Sequence, residues 1–229
     1  MVTTATAETV MTTNFIVDAP SRELAEVVAQ RAERQRAQMS LELFQRPLAD
    51  AQRRTIIRVS TAATGCSARM LPASTGQGHM IVLAGQLSEV AGPSLDHELV
   101  HATLADELGS DFPRWLNEGL ASRLDNAELR AIRARELRDM LLEGTWPDFA
   151  ALMQQPIRTP KQYAVVESVV DYLLSRYSPP QLVAMGADAS RLGLDASLQS
   201  HLQIDGVADL ERRWRQNLYR VAQAPSQRF

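Results

Sequence analysis

The sequence predicts an α+β fold: a small twisted sheet packs on one helix, and a mostly helical C-terminal lobe follows. Two observations carry this. Short β-branched or apolar runs at Asn14-Phe15-Ile16-Val17, Thr55-Ile56-Ile57-Arg58-Val59 and His79-Met80-Ile81-Val82-Leu83 all precede Pro93. After Pro93 such runs stop, and apolar residues recur with helical spacing to the end of the chain. The 229 residues, 45% of them hydrophobic, suffice for one large domain or two small lobes.

Residues 1–12 read as a flexible N-terminus, and 13–229 as a single domain with an α/β lobe (13–110) and a helical lobe (111–229). Asp18 and Ser21 are candidate N-caps for a helix from about Arg22 to Leu43, with Pro20 in an early helical position. Leu24, Val27 and Val28 are expected on its buried face. The Gly/Ser/Thr/Pro-bearing stretch Thr61 to Gln77 reads as a loop or hairpin. The run at His79 is a second strand. It is placed at the sheet edge, where His79 is a candidate for substrate contact.

In the second half, Ser94 is a candidate cap for a helix carrying His97 to Leu108. Further helices are expected from near Pro113 through Asp125, from Glu128 to Leu142 before Gly144, and over Phe149 to Met153. Others are expected over Tyr163 to Tyr177, after Pro179-Pro180, and from Val207 to Val221. Val166, Val169, Val170 and Leu173 are spaced for one buried face. So are Leu210, Trp214 and Leu218.

Composition excludes several classes. The formal charge is −3, and the basic residues, with Lys161 the only lysine, are scattered among acids. Nothing suggests a nucleic-acid partner. No window holds ~20 uninterrupted apolar residues, so no membrane span is expected. Cys66 is the single cysteine, which excludes an intramolecular disulfide; it reads as a small loop or core residue. Met1 to Met11 lacks the basic start and apolar stretch of a signal peptide. A cytoplasmic protein and an exported domain whose leader has been removed both fit.

His97-Glu98-Leu99-Val100-His101 is an HExxH motif. On a helix, residues i and i+4 share a face, so both imidazoles can reach one zinc ion, with Glu98 beside them as general base. The bland alternative is a surface helix with two solvated histidines. Three features count against it. The motif lies in an apolar stretch after a strand and a Gly-Pro loop. Glu118, in Trp115-Leu116-Asn117-Glu118-Gly119-Leu120-Ala121, can supply the third ligand that a catalytic zinc needs beside an open position. Tyr163 heads a later helix.

Together these motifs resemble the gluzincins, zinc metallopeptidases of thermolysin-like zincin fold. The match is to the aminopeptidase N and leukotriene A4 hydrolase branch and to peptidase MA-like domains. Trp115 to Ala121 looks like that branch's third-ligand helix, and Tyr163 to Leu173 like the helix opened by its catalytic tyrosine. The resemblance runs from the strand at His79 through the last helix. It implies one Zn2+ per chain held by His97, His101 and Glu118. It also implies Glu98 as general base and acid, Tyr163 as oxyanion donor, and a peptide or protein substrate. That branch's aminopeptidases carry a Gly-x-Met-Glu-Asn strand whose acid helps hold the substrate amine. Here the stretch reads Gly78-His79-Met80-Ile81-Val82, without the acid, so an endopeptidase or a specialised hydrolase is expected. Met80 to Leu83 would then take up the substrate backbone by strand addition. The alternative is a zinc-binding, non-catalytic peptide- or protein-binding module on the same scaffold.

Other residues receive lesser roles. Asp125, seven residues after Glu118, reads as an acceptor for the second N–H of a ligand histidine or as a solvated acid. Asp96 and Asp106 flank the motif and read as cap or surface charges, with a supporting role behind a ligand as the alternative. Trp115 and Tyr172 read as packing residues. Gly119 is expected to let its helix approach the HExxH helix closely. His201 is not expected to be a ligand.

Overall fold

A computed structural model describes residues 7–61, 66–73 and 78–223. The fold is α+β, with one five-stranded sheet followed by helices. The chain divides into two compact units, Met1–Ser110 with Ala121–Ala127, and Asp111–Leu120 with Glu128–Phe229.

The first unit holds strands β1 (Glu8–Met11), β2 (Phe15–Ala19), β3 (Thr55–Thr61), β4 (Cys66–Leu71) and β5 (Met80–Gly85). Its helices are α1 (Arg22–Phe44), α2 (Leu87–Val90) and α3 (Pro93–Leu108). The sheet order is β1-β2-β3-β5-β4. The inner pairs β2–β3 and β3–β5 are parallel, and the outer strands β1 and β4 run antiparallel to their neighbours.

Three expectations change here. Glu8–Met11, assigned to a flexible N-terminus, pairs with β2 from Glu8↔Ala19 to Met11↔Ile16; residues 1–6 lie outside the described residues. The stretch read as a loop or hairpin contains strand β4, which pairs with β5 from Cys66↔Gly85 to Leu71↔Met80. In consequence β5 is an inner strand with both sides paired, and β4 is the edge. Strand addition at Met80 to Leu83 is therefore closed. Period-2 alternation shows that a segment is a strand but not which neighbours it takes.

Alternate residues of the inner strands are buried: Phe15, Val17 and Ala19, then Thr55, Ile57 and Val59, then Ile81 and Leu83. Helix α1 packs against β2 and against α3. Ser21 caps α1, its hydroxyl accepting from Leu24 N–H at 3.3 Å. Asp18 does not cap; it lies in β2 and accepts from the Thr9 hydroxyl at 2.7 Å. The buried face of α1 runs through Leu24, Ala25, Val28, Ala29 and Ala32, whereas Val27 is 48% exposed. Leu24 and Val28 are buried as expected, and three alanines complete this face beside them.

Asp96 of α3 is buried, contrary to its reading as a cap or surface charge. It accepts two hydrogen bonds from Arg31 of α1, at 2.9 and 2.5 Å. The bond to Asp96 holds the Arg31 guanidinium above its usual pKa.

The second unit is helical. Helix α4 (Arg114–Ser122) begins in it and ends in the first unit, and α5 (Ala127–Glu143) returns the chain to it. Then come α6 (Phe149–Leu152), α7 (Pro160–Leu174), α8 (Pro179–Leu192), α9 (Leu194–Leu202) and α10 (Gly206–Gln223). Helix α9 was not foreseen. It follows α8 after one residue, Gly193, whose φ of 82° suits glycine. Trp214 is fully buried, stacked on Phe149 at 5.5 Å and edge-on to Trp146 at 5.4 Å, its indole N–H donating to Ser168. Val166, Val169, Val170 and Leu173 are all fully buried, as their spacing predicts. Thr159 and Gln162 form a capping box at the start of α7. Among the described residues no helix is long and apolar enough to cross a membrane.

Candidate metal centre

Helix α3 starts sharply. Pro93 occupies its first turn after Gly92, where a Cβ would meet the Ser88 carbonyl oxygen at 2.2 Å. Leu95, Leu99, Ala102 and Leu104 are buried. With those faces committed to the core, helical periodicity leaves His97 and His101 together on a face that is only partly covered. Their Nε2 atoms are 3.1 Å apart, and their rings meet edge-on at 4.8 Å between centroids.

Glu118 lies on α4, one turn before its end. One ligand atom from each of His97, His101 and Glu118 lies within 4.8 Å of the other two. No other group of three histidine, cysteine or acidic residues among the described residues comes together in this way.

The His97 ring is held from behind. Its Nδ1 is 2.9 Å from Asp125 Oδ1. An ionised carboxylate only accepts, so this contact places a hydrogen on Nδ1, and in the neutral ring the Nε2 lone pair is then free for a metal. Asp125 is not on the helical face of Glu118 as its spacing suggested. Helix α4 ends at Ser122, and a turn follows in which Leu124 and Asp125 N–H bond back to Ala121 and Ser122. The next residue, Asn126, donates to Glu89 Oε2 at 3.0 Å, and Glu89 also accepts from Ser94 at 3.4 Å. These bonds tie the Asp125 turn to the start of α3. Nothing in the local sequence marks Glu89 or Asn126 for this, because they meet only through the fold.

Glu98 is buried, 5% exposed, and adjoins His97 in α3. Tyr163 is the fourth residue of α7. Within the second unit its ring lies against the Arg133 guanidinium, 5.3 Å from the centroid. Arg133 also donates to Glu167 of α7 at 3.1 Å. Burial pushes the Glu167 carboxyl above its usual pKa, against the pull of Arg133.

Other residues fall elsewhere. His79 is buried, so a substrate contact at an edge strand is excluded. Its Nδ1 accepts from Ala73 N–H at 2.9 Å, and its Nε2–H faces Asp106 Oδ1 at 3.1 Å. The ring thus clips the end of β4 to α3, and Asp106 is its partner. His201 bonds Asp188 at 2.9 Å. Cys66 is exposed on β4, its Sγ 3.1 Å from Ser94 Oγ. Trp115 is fully buried and Tyr172 nearly so. Gly119 permits a close approach to α7 within the second unit: a Cβ there would lie 2.4 Å from Val170 Cγ2 and 2.8 Å from the Val166 carbonyl oxygen. A groove of 560 Å³ in the second unit, lined by Met153, Leu194 and Val207 among others, includes none of these site residues.

No protein-family model matches the sequence, and no curated protein matches it.

Proposed function

We propose that this chain is a zinc-dependent peptidase of gluzincin type on a thermolysin-like zincin scaffold, acting as an endopeptidase. The observation that carries the proposal is the convergence of His97, His101 and Glu118 within 4.8 Å. The donor set fits zinc. Two nitrogens bound at ~2.0–2.1 Å in tetrahedral geometry lie about 3.3 Å apart, and the two Nε2 atoms are separated by 3.1 Å. Two imidazoles and one carboxylate leave the open position that a catalytic site keeps.

A zinc ion supplies Lewis acidity, making water nucleophilic near neutral pH and polarising a carbonyl oxygen. The protein supplies the rest. Asp125 fixes the tautomer and orientation of His97. Glu98 takes a proton from the attacking water and passes it to the leaving amine. Tyr163 donates its hydroxyl to the carbonyl oxygen as negative charge builds on it. The exposed edge of β4, which packs beside α3, offers backbone N–H and C=O groups to an extended peptide.

The test is in two stages. Elemental mass spectrometry should find about one zinc per wild-type chain, lost in His101→Ala and Glu118→Ala. A peptide-library digest should then show internal cleavage that Glu98→Gln abolishes while retaining its zinc. Absence of zinc after reconstitution overturns the metal site. Zinc without cleavage by the wild type leaves a binding module, and cleavage by Glu98→Gln overturns the mechanism.

A further inference from the structure

Helix α7 presents Tyr163 and Glu167 one turn apart, on one face. Arg133 of α5 meets both: its guanidinium carbon is 5.3 Å from the centre of the Tyr163 ring, and its Nη1 is 3.1 Å from Glu167 Oε2. The side chains of Arg133 and Glu167 are about nine-tenths buried. Arg130, one turn earlier on α5, lies 3.7 Å from the other Glu167 oxygen, with 57% of its side chain exposed.

Burying a guanidinium costs free energy that its partners must offset. Glu167 already has a cation at the surface in Arg130, so neutralising that carboxylate does not require a second, buried one. Arg133 is buried where Arg130 is exposed, and its guanidinium lies against the tyrosine ring. A planar guanidinium pinned by a carboxylate at one end and lying against an aromatic ring restricts that ring's rotation. Its positive charge also favours electron density at the phenol oxygen.

We propose that Arg133 is a positioning residue for Tyr163, locked in place by Glu167, which fixes the ring and polarises its hydroxyl for the oxyanion. This rests on the reading of Tyr163 as the oxyanion donor.

The test compares four variants with wild type. Arg133→Met combined with Glu167→Gln removes the cation without leaving a buried, unpaired carboxylate. Glu167→Gln alone keeps Arg133. Arg133→Lys keeps the charge but not the planar contact. Tyr163→Phe removes the hydroxyl. The readouts are zinc content, the Tyr163 ring resonance in tyrosine-labelled NMR spectra, and kcat and KM for a peptide that the wild type cleaves. The expected result for the double variant is full zinc, a Tyr163 resonance showing freer ring rotation, kcat lower by about five- to tenfold, and an unchanged KM. Arg133→Lys should recover part of kcat, and Glu167→Gln alone should lose less than the double variant. Wild-type kcat and ring dynamics in the double variant, beside an impaired Tyr163→Phe, overturn this inference and leave the peptidase reading standing. Full activity of Tyr163→Phe overturns the donor role itself, and the role of Arg133 with it.

Discussion

His97 Nδ1 lies 2.9 Å from Asp125 Oδ1, so one of the two candidate ligand histidines is held by a carboxylate at the nitrogen away from the one that meets His101. Both side chains are largely buried, and water competes weakly for the bond. Asp125→Ala should therefore retain the fold but weaken zinc binding by about 10–100-fold. Competition with a chromophoric chelator measures this directly. Affinity equal to wild type would remove Asp125 from the support of the metal site.

Zinc bound to the folded chain alone should raise its stability. At a free zinc concentration ~100 times the dissociation constant, the gain is about 2.7 kcal/mol. Chelation should lower the melting temperature of the wild type and leave His101→Ala unmoved. An equal shift in both proteins would locate the stabilising metal elsewhere.

Gly119→Ala tests the contact between α4 and α7. Alanine is the better helix former by about 1 kcal/mol. The added methyl, however, meets Val170 Cγ2 and the Val166 carbonyl oxygen, and overpacking of this kind costs about 1–3 kcal/mol. Denaturant unfolding should show a net loss. Val170→Ala should restore only part of it, because the Val166 carbonyl is backbone and cannot be trimmed. A stabilised Gly119→Ala would mean that the two helices separate easily.

Glu33 gives the first unit an acid-sensitive link. Burial alone would raise its pKa, but hydrogen bonds from the Asn14 backbone and side chain, at 2.8 and 2.7 Å, outweigh this and hold it below the ordinary 4.5. The folded chain then binds fewer protons here than the unfolded chain. The stabilisation is present above pH 4.5 and is lost as pH falls through the folded-state value. Glu33→Gln should be less stable at neutral pH by about 1 kcal/mol, with the gap closing in acid. Urea titrations across that range check this. A gap independent of pH would rule out the link.

Some of this was legible in one dimension. The buried stripe of α7, the strands at Phe15, Thr55 and Met80, and the pairing of His97 with His101 all follow from local periodicity. A helix or strand repeats its faces whatever surrounds it. Val27 shows the limit: its hydrophobicity suggests burial, yet the packed face of its helix runs through Leu24, Ala25, Val28 and Ala29 and leaves it 48% exposed. Asp125 was a candidate acceptor for a ligand histidine, but the turn that delivers it to His97 was not visible. His79 looked like an edge residue because the intervening strand β4 was hidden in a polar, glycine-bearing stretch.

The sequence by itself determined the α+β class, the succession of most elements, and a short set of candidate ligands with matching chemistry. Those are properties of neighbours along the chain, set by backbone geometry and side-chain type. Tertiary structure alone decided that β4 and not β5 is the edge, that Gly119 faces α7, that Asp96 is locked to Arg31, and that Arg133 joins Tyr163 to Glu167. Each of these depends on which distant segments share a surface. That choice rests on the burial and pairing of the whole chain, summed over many weak contacts that no short stretch of sequence contains.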